Sequence, residues 1–175
     1  MRLLRDESGF SLPELLIVCT ITTILMVGLG TIFSIGLTTS KTSSSILAAQ
    51  SGVVVTLDRL DYEGRCASNA ALVSAGAGVT LTFPNQCTHA AGTVTWCVTS
   101  GSLIRYSGSA CSGGGQTLAT DVSSPTPFSC VTTGALPVVK VTLTITANPG
   151  TTAAQTASGS DWIVLRNASS AGACA

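Results

Sequence analysis

The sequence predicts an α+β chain in which one long N-terminal helix leads into an antiparallel β-rich region stapled by disulfides. Three observations carry that reading. An apolar run of helical length fills Phe10 to Leu37, a helix-period pattern continues to about Glu63, and beyond Gly64 the period changes to two, with six cysteines spread through the remainder. A length of 175 residues leaves room for one ordinary domain with an appendage.

Residues 1–9, MRLLRDESG, form a short hydrophilic leader carrying Arg2, Arg5, Asp6 and Glu7. Residues 10–37, FSLPELLIVCTITTILMVGLGTIFSIGL, hold a single charged side chain, Glu14. As a helix this segment spans about 42 Å, enough for a bilayer core. It is too long for the apolar core of a cleavable secretory signal, and no small-residue cleavage site follows it. A plain anchor gains nothing from Glu14, because a charge within an apolar span costs about 2.5–3.5 kcal/mol on insertion scales. Pro13 falls in the first helical turn, where its missing N–H has no partner to lose.

Residues 38–64 turn polar, yet Ile46, Leu47, Val53, Val54, Leu57 and Leu60 recur at helical spacing, so the helix continues as an amphipathic segment. Its many Ser and Thr weaken intrinsic helix propensity, and it therefore needs a sheet to pack on. Gly64 offers a stop. Asp58, Arg59, Asp61, Glu63 and Arg65 read as a solvated outer face.

Residues 65–175 read as a β-rich globular head. Val79, Leu81 and Phe83 share one face of a strand, as do Val94, Trp96 and Val98. In VVKVTLTITA the alternation is complete, with Val139, Val141, Leu143 and Ile145 facing one way and Lys140, Thr142, Thr144 and Thr146 the other, which predicts a half-buried antiparallel strand. Gly101-Ser102 reads as a hairpin turn, and DWIVLRN as a last strand closing the sheet. SGSACSGGGQ, SSPTPF and NPGTTAAQTASGS read as loops.

Cys19 lies in the apolar run; Cys66, Cys87, Cys97, Cys111, Cys130 and Cys174 lie beyond it. Without a C-x-x-C and with one histidine, the six do not form a zinc pattern, and an even number predicts a three-disulfide framework in an oxidising compartment. Many connectivities are open to six cysteines. The nearest-neighbour set, Cys66 with Cys87, Cys97 with Cys111 and Cys130 with Cys174, needs the fewest long-range closures and is the one expected.

Charged residues make up only 9% of the chain, net charge is zero and mean hydropathy is +0.51, which excludes a disordered chain and a polyanion binder working through bulk positive charge. No nucleophile-elbow, zinc-protease or phosphate-loop motif occurs, and Ser112 to Gln116 lacks the Lys a phosphate cradle needs. His89 reads as a loop histidine. Asp121 and Asp161 stand far apart with no paired carboxylate, and Asn167-Ala168-Ser169 is a sequon of the kind that arises by chance. No enzyme, cofactor or metal is therefore expected.

The residues SGFSLPELLIV resemble the class III signal of type IV prepilins and of type II secretion pseudopilins. The resemblance implies cleavage by a prepilin peptidase between Gly9 and Phe10, N-methylation of Phe10, and a role for Glu14 as the fifth-position glutamate of the mature chain. After cleavage Phe10 carries a cationic amine, and within a helical bundle that amine and Glu14 are each costly unless they meet. The pair Glu14 and Phe10, formed between neighbouring subunits, would set filament register. Farther on, TVTWCVTSGSLIRY, with Leu103 and Arg105, TLATDVSSPTPFSC, VKVTLTI and IVLRN are similar to the strands of PilW/PulJ-like (J-type) minor pilins, over residues 94–167.

The resemblance implies a pilin-like fold with the helix at about Phe10 to Glu63, the first half transmembrane and the second packed on the sheet. It also implies a minor type IV pilin that helps initiate a pilus or sits near its tip. The expected partners are major and minor pilins, the prepilin peptidase, the inner-membrane assembly platform and, before assembly, membrane lipid. The location implied is the bacterial cytoplasmic membrane and then an extracellular pilus or pseudopilus. Two alternatives are a minor pseudopilin of a type II secretion system and a membrane-tethered adhesive or ligand-binding domain that never polymerises. Nucleic acid is not expected as a partner, because Lys41, Arg59, Arg65, Arg105, Lys140 and Arg166 are scattered rather than gathered in a basic stripe.

Overall fold

A computed structural model describes residues 11–85, 87, 92–133, 136–148, 150–151, 154–168 and 174. Helix α1 runs Leu12–Cys66 and is followed by β1 (Asn69–Val73), a 3-10 turn (Ser74–Gly76), β2 (Gly78–Phe83), β3 (Gly92–Thr99), β4 (Ser102–Ser107), β5 (Gly115–Ala119), β6 (Phe128–Thr133), β7 (Leu136–Ala147) and β8 (Gln155–Val164). The fold class is α+β with antiparallel sheets, as the sequence predicts and as a pilin-like fold requires. Two compact units divide between Ser43 and Ser44.

The strands do not form one sheet closed by the last strand, as expected, but two. β1 to β5 make a five-stranded meander in sequence order, and β6, β7 and β8 make a separate three-stranded sheet. β7 has the alternation read from its sequence: Val139, Val141, Leu143 and Ile145 are buried while Lys140, Thr142, Thr144 and Thr146 face outward. Its edge toward β6 is completed beyond that strand by the preceding segment, where Thr142 N–H donates to Pro127 O, Ser123 N–H to Thr144 O and Thr146 N–H to Asp121 O. Among the described residues that leaves β8 paired along its length with β7 only.

Several boundaries differ from the sequence reading for identifiable reasons. The hairpin between β3 and β4 turns at Ser100 and Gly101, one residue earlier than expected, with φ of 50° and 73°. Positive φ at both positions marks the two-residue turn whose twist matches its strands. β8 starts six residues before Asp161, within a stretch read as loop, because Gln155 to Ser160 alternate polar residues with Ala157 and Gly159 and so show no large apolar alternation. β5 likewise begins inside the Gly-rich stretch.

Helix α1 does not stop at Gly64. That residue is buried inside the helix, and a side chain there would collide with Ile163 on β8. Gly64 thus permits close helix–strand approach. A second close approach lies at Gly159 on β8, where an added Cβ would sit 2.7 Å from Val53 and 3.0 Å from Leu57. The helix ends two residues after Gly64 at Cys66, whose carbonyl accepts a hydrogen bond from the Asn167 side chain at 2.8 Å and so keeps a partner. This gives Asn167 a structural task; Ser169 of the sequon lies outside the described residues.

Between Ser44 and Cys66 the buried positions of α1 are Ala49, Val53, Thr56, Leu60, Glu63 and Gly64. Their alternating four- and three-residue steps make one stripe. Leu47, Val54, Val55 and Tyr62 lie off that stripe and remain exposed. The stripe meets both sheets: Gly52 lies against Ile145 and Gly64 against Ile163 in the three-stranded sheet, while Glu63 reaches Trp96 and Arg105 in the meander.

Three disulfides join Cys66 to Cys87, Cys97 to Cys111 and Cys130 to Cys174, the nearest-neighbour pairs. They tie the end of α1 to the loop after β2, β3 to the loop after β4, and β6 to the C-terminal segment, where Cys174 also bridges Ala70 of β1. Cys19 is free and exposed. A closed loop of about 15 residues is worth roughly 3 kcal/mol in the chain-entropy model. Proteolysis of the unreduced chain should release linked peptides for these three pairs, and alkylation after denaturation without reductant should modify Cys19 alone. A linked peptide joining any other two cysteines contradicts the framework.

Candidate functional site

From Leu12 to Leu37 every large apolar side chain of α1 is more than half exposed, including Leu12, Leu16, Ile24, Val27, Ile32 and Phe33. Covering such a set from water is worth on the order of 20 kcal/mol. The segment is long and apolar enough to cross a membrane, with a mean hydropathy of 2.4 and none of that window buried within its own chain. Its threonines are prepared for an apolar medium. Thr20, Thr22, Thr23, Thr31 and Thr38 each donate their hydroxyl to a carbonyl three or four residues earlier at 2.7 to 3.1 Å, so these groups need no water.

Glu14 lies in the first turn of this helix and is exposed. Ser11 precedes the helix and its hydroxyl approaches a Glu14 carboxylate oxygen at 3.5 Å, while the Glu14 N–H donates to Ser11 O at 3.0 Å. Ser-Leu-Pro-Glu is thus a helix-start signature, with the negative charge placed where the helix dipole favours it. Those contacts with Ser11 leave most of the carboxylate's hydrogen-bonding capacity open among the described residues. Gly9 and Phe10, the expected cleavage and methylation positions, lie outside the described residues.

A second glutamate, read from the sequence as solvated, is buried. Glu63 is 7% exposed, and its position on the stripe after Ala49, Val53, Thr56 and Leu60 points it into the unit. Arg105 Nε donates to both carboxylate oxygens at 2.8 and 3.1 Å, Trp96 Nε1 donates to Oε2 at 3.0 Å, and Arg59 Nε lies 3.6 Å from Oε1. Trp96 and Arg105 are directly opposite each other across β3 and β4 and so present both donors on one face. Leu103, two residues before Arg105, is buried in the core. The Leu-x-Arg pattern therefore places an apolar anchor and a cationic partner side by side. The reading of Asp58, Arg59, Asp61, Glu63 and Arg65 as one solvated face fails at Glu63, because a charge on the buried stripe is tolerable once two donors, Arg105 and Trp96, and the nearby Arg59 cation meet it. Arg65 and Asp61 do form a surface pair at 2.7 Å, which raises the Arg65 pKa above its ordinary value.

The remaining sequence candidates are not drawn together. His89 lies outside the described residues. Asp121 lines a cleft of about 460 Å³ with Ser45, Gly52, Ile145 and Asn148, where it is the only titratable side chain. Asp161 lies across from Val141 on β8. No group of three His, Cys, Asp or Glu side chains suited to a metal occurs among the described residues.

Removing one partner of a buried ion pair typically costs 3–5 kcal/mol, whereas exposed pairs contribute little. Glu63→Ala should therefore lower the unfolding free energy of the full chain by about 3 kcal/mol or more, measured by denaturant titration with Trp96 fluorescence. Asp61→Ala should change it by less than about 1 kcal/mol, and Glu63→Gln, which keeps an acceptor for Trp96, should fall between.

Comparison with known proteins adds one match: the prokaryotic N-terminal methylation motif, over residues 4–30. No curated protein and no solved structure matches the chain. The matched residues contain Gly9, Phe10 and Glu14 and run into the unburied apolar helix. Motif and helix together indicate membrane anchoring and support a type IV pilin-like or pseudopilin-like protein.

Proposed function

We propose that the chain is a minor type IV pilin, a structural subunit that helps initiate a type IV pilus or sits near its tip. The observation that supports this most is the junction of a methylation motif with an apolar helix that its own chain leaves uncovered. Before assembly lipid covers that helix; in the filament the helices of other subunits do. The peptidase cut after Gly9 creates the cationic amine of Phe10, and methylation leaves that amine charged. Glu14 of one subunit then neutralises the amine of a neighbour as both leave water, and the pairing fixes axial register. The J-type similarity of residues 94–167 supports the minor, initiating role. The chain works by binding other pilins and the membrane assembly platform, and it catalyses no reaction.

A minor pseudopilin of a type II secretion system would use the same N-terminal chemistry, so the readout must separate the two machines. Deletion of the gene should lower surface pilus number and leave secretion of folded substrates unchanged; the reverse outcome assigns the chain to secretion. A tethered domain that never polymerises would keep its leader.

Mass spectrometry of the membrane-extracted protein should find a chain beginning at methylated Phe10, and an intact leader on assembled protein would overturn the reading. Glu14→Ala should be synthesised, cleaved and retained in the membrane, yet be recruited into filaments poorly, in keeping with the loss of about 3–5 kcal/mol that a fully buried pair represents. Glu14→Asp should be intermediate. Wild-type recruitment of the alanine variant would show that Glu14 does not set register in this subunit.

A further inference from the structure

Strand β8 is the ten-residue outer strand of the three-stranded sheet, and its pairing with β7 is regular through all ten residue pairs. Natural edge strands are commonly guarded by a bulge, a proline, a charge or short length. From Gln155 to Ser160, β8 has none of these. One outer strand of the other sheet, β5, differs on two counts: it is five residues long and a register shift lies between Leu103 and Ile104 in its pairing with β4.

Beside the β8 edge runs a groove of about 470 Å³ whose other wall is the flank of α1, formed by Gln50, Val53, Val54 and Leu57. No ionisable side chain lines it, on the helix side or along residues 156–160. Val54 is 58% exposed, and Leu57 is half-buried. One wall thus offers backbone N–H and C=O groups that no described residue pairs and the other an exposed apolar strip, the two features that together accept an extended peptide.

We propose that this groove is a strand-addition site, in which an extended, uncharged segment of a partner protein pairs with β8 over Gln155–Ser160 and lays alternate side chains on Val54 and Leu57. The neutral lining favours an uncharged occupant, because a charged side chain entering it would lose water without gaining a partner. A second copy of this chain fits poorly. Its own β8 carries α1 packed tightly on Gly159. Two such strands joined with both helices on one face lie about 4.8 Å apart, whereas packed helices need roughly 8–10 Å. The inference concerns only the groove and stands apart from the filament reading.

The test uses the full chain in detergent micelles and a capped peptide of alternating Thr and Val with one Lys at each end. Backbone amide exchange at Thr156 to Ser160 should slow at least tenfold when the peptide is saturating. Methylation of the peptide's alternate backbone nitrogens should abolish that protection, and Val54→Lys should weaken peptide binding at least tenfold while the disulfide map stays unchanged. The proposal is overturned by unchanged exchange at millimolar peptide, by protection indifferent to both changes, or by protection that rises with protein concentration alone, since the last would mean self-pairing.

Discussion

Two sheets that share no continuous ladder need something else to hold them, and beside the disulfide of Cys130 with Cys174, whose Cys174 bridges Ala70 of β1, it is the stripe on α1 that begins at Ala49 and ends at Glu63 and Gly64. Its lower part is ordinary apolar packing, with a small residue where the approach is closest: Gly159 beneath Val53 and Leu57. Its upper part is ionic. The Glu63 carboxylate takes Arg105 and Trp96 from the meander within two residues of the place where Gly64 admits Ile163 from the three-stranded sheet. Position along the stripe is therefore specified by size at one residue and by charge at its neighbour. A slip of one turn would bury the carboxylate without donors and force a side chain into β8, and either error costs several kcal/mol.

Much of this was legible in the sequence where burial is one-sided and apolar. β7 declares itself because every second residue is Val, Leu or Ile, and the helix does so because its apolar run exceeds any strand. Glu63 is not legible in this way, since it lies in a charged cluster and charge usually marks solvent. A signal existed nonetheless. Glu63 continues the four- and three-residue steps from Ala49, and Arg105 is in phase with buried Leu103, so each charge stood on a face that its neighbours marked as interior. An arginine in phase with core residues on a strand calls for a buried carboxylate, and Glu63 is the carboxylate that falls on the buried stripe of the helix. The first half of β8 was hidden for a different reason. Where a helix presses on a strand, Gly and Ala replace the large apolar residues whose alternation would reveal it, and Gln155 to Ser160 then reads as loop.

The low charge of the chain acquires a meaning in this architecture. Thr142, Thr144 and Thr146 on β7 stand across from Ser160, Ser158 and Thr156 on β8, so beyond Lys140 and its partner Trp162 the outward face of that sheet is clad in hydroxyls. Hydroxyls satisfy water well enough to keep a surface soluble, yet carry no field to repel a similar surface brought close. Inside the apolar part of α1 the same residue type turns inward onto the helix backbone, as Thr22 does with Val18 O. One side-chain chemistry serves two media, hydrogen-bonding to water at the sheet and to its own carbonyls in the helix.

Glu14 and Glu63 are the two glutamates of α1, and the chain treats them oppositely. Glu63 is enclosed and receives its donors from its own fold, Arg105 and Trp96, with the Arg59 cation beside them. Glu14 stands exposed at the start of an apolar segment, with Ser11 as its contact among the described residues. Where a chain must bury a carboxylate for itself, it supplies the counter-charge, as it does at Glu63. No such cation is placed around Glu14 by the described residues. On the reading proposed above, a negative charge kept at the mouth of a segment that must leave water takes its cation from a neighbouring subunit. The proposed processing creates a positive charge four residues away on every copy, and for Glu14 that makes partner choice a matter of which subunit arrives beside it.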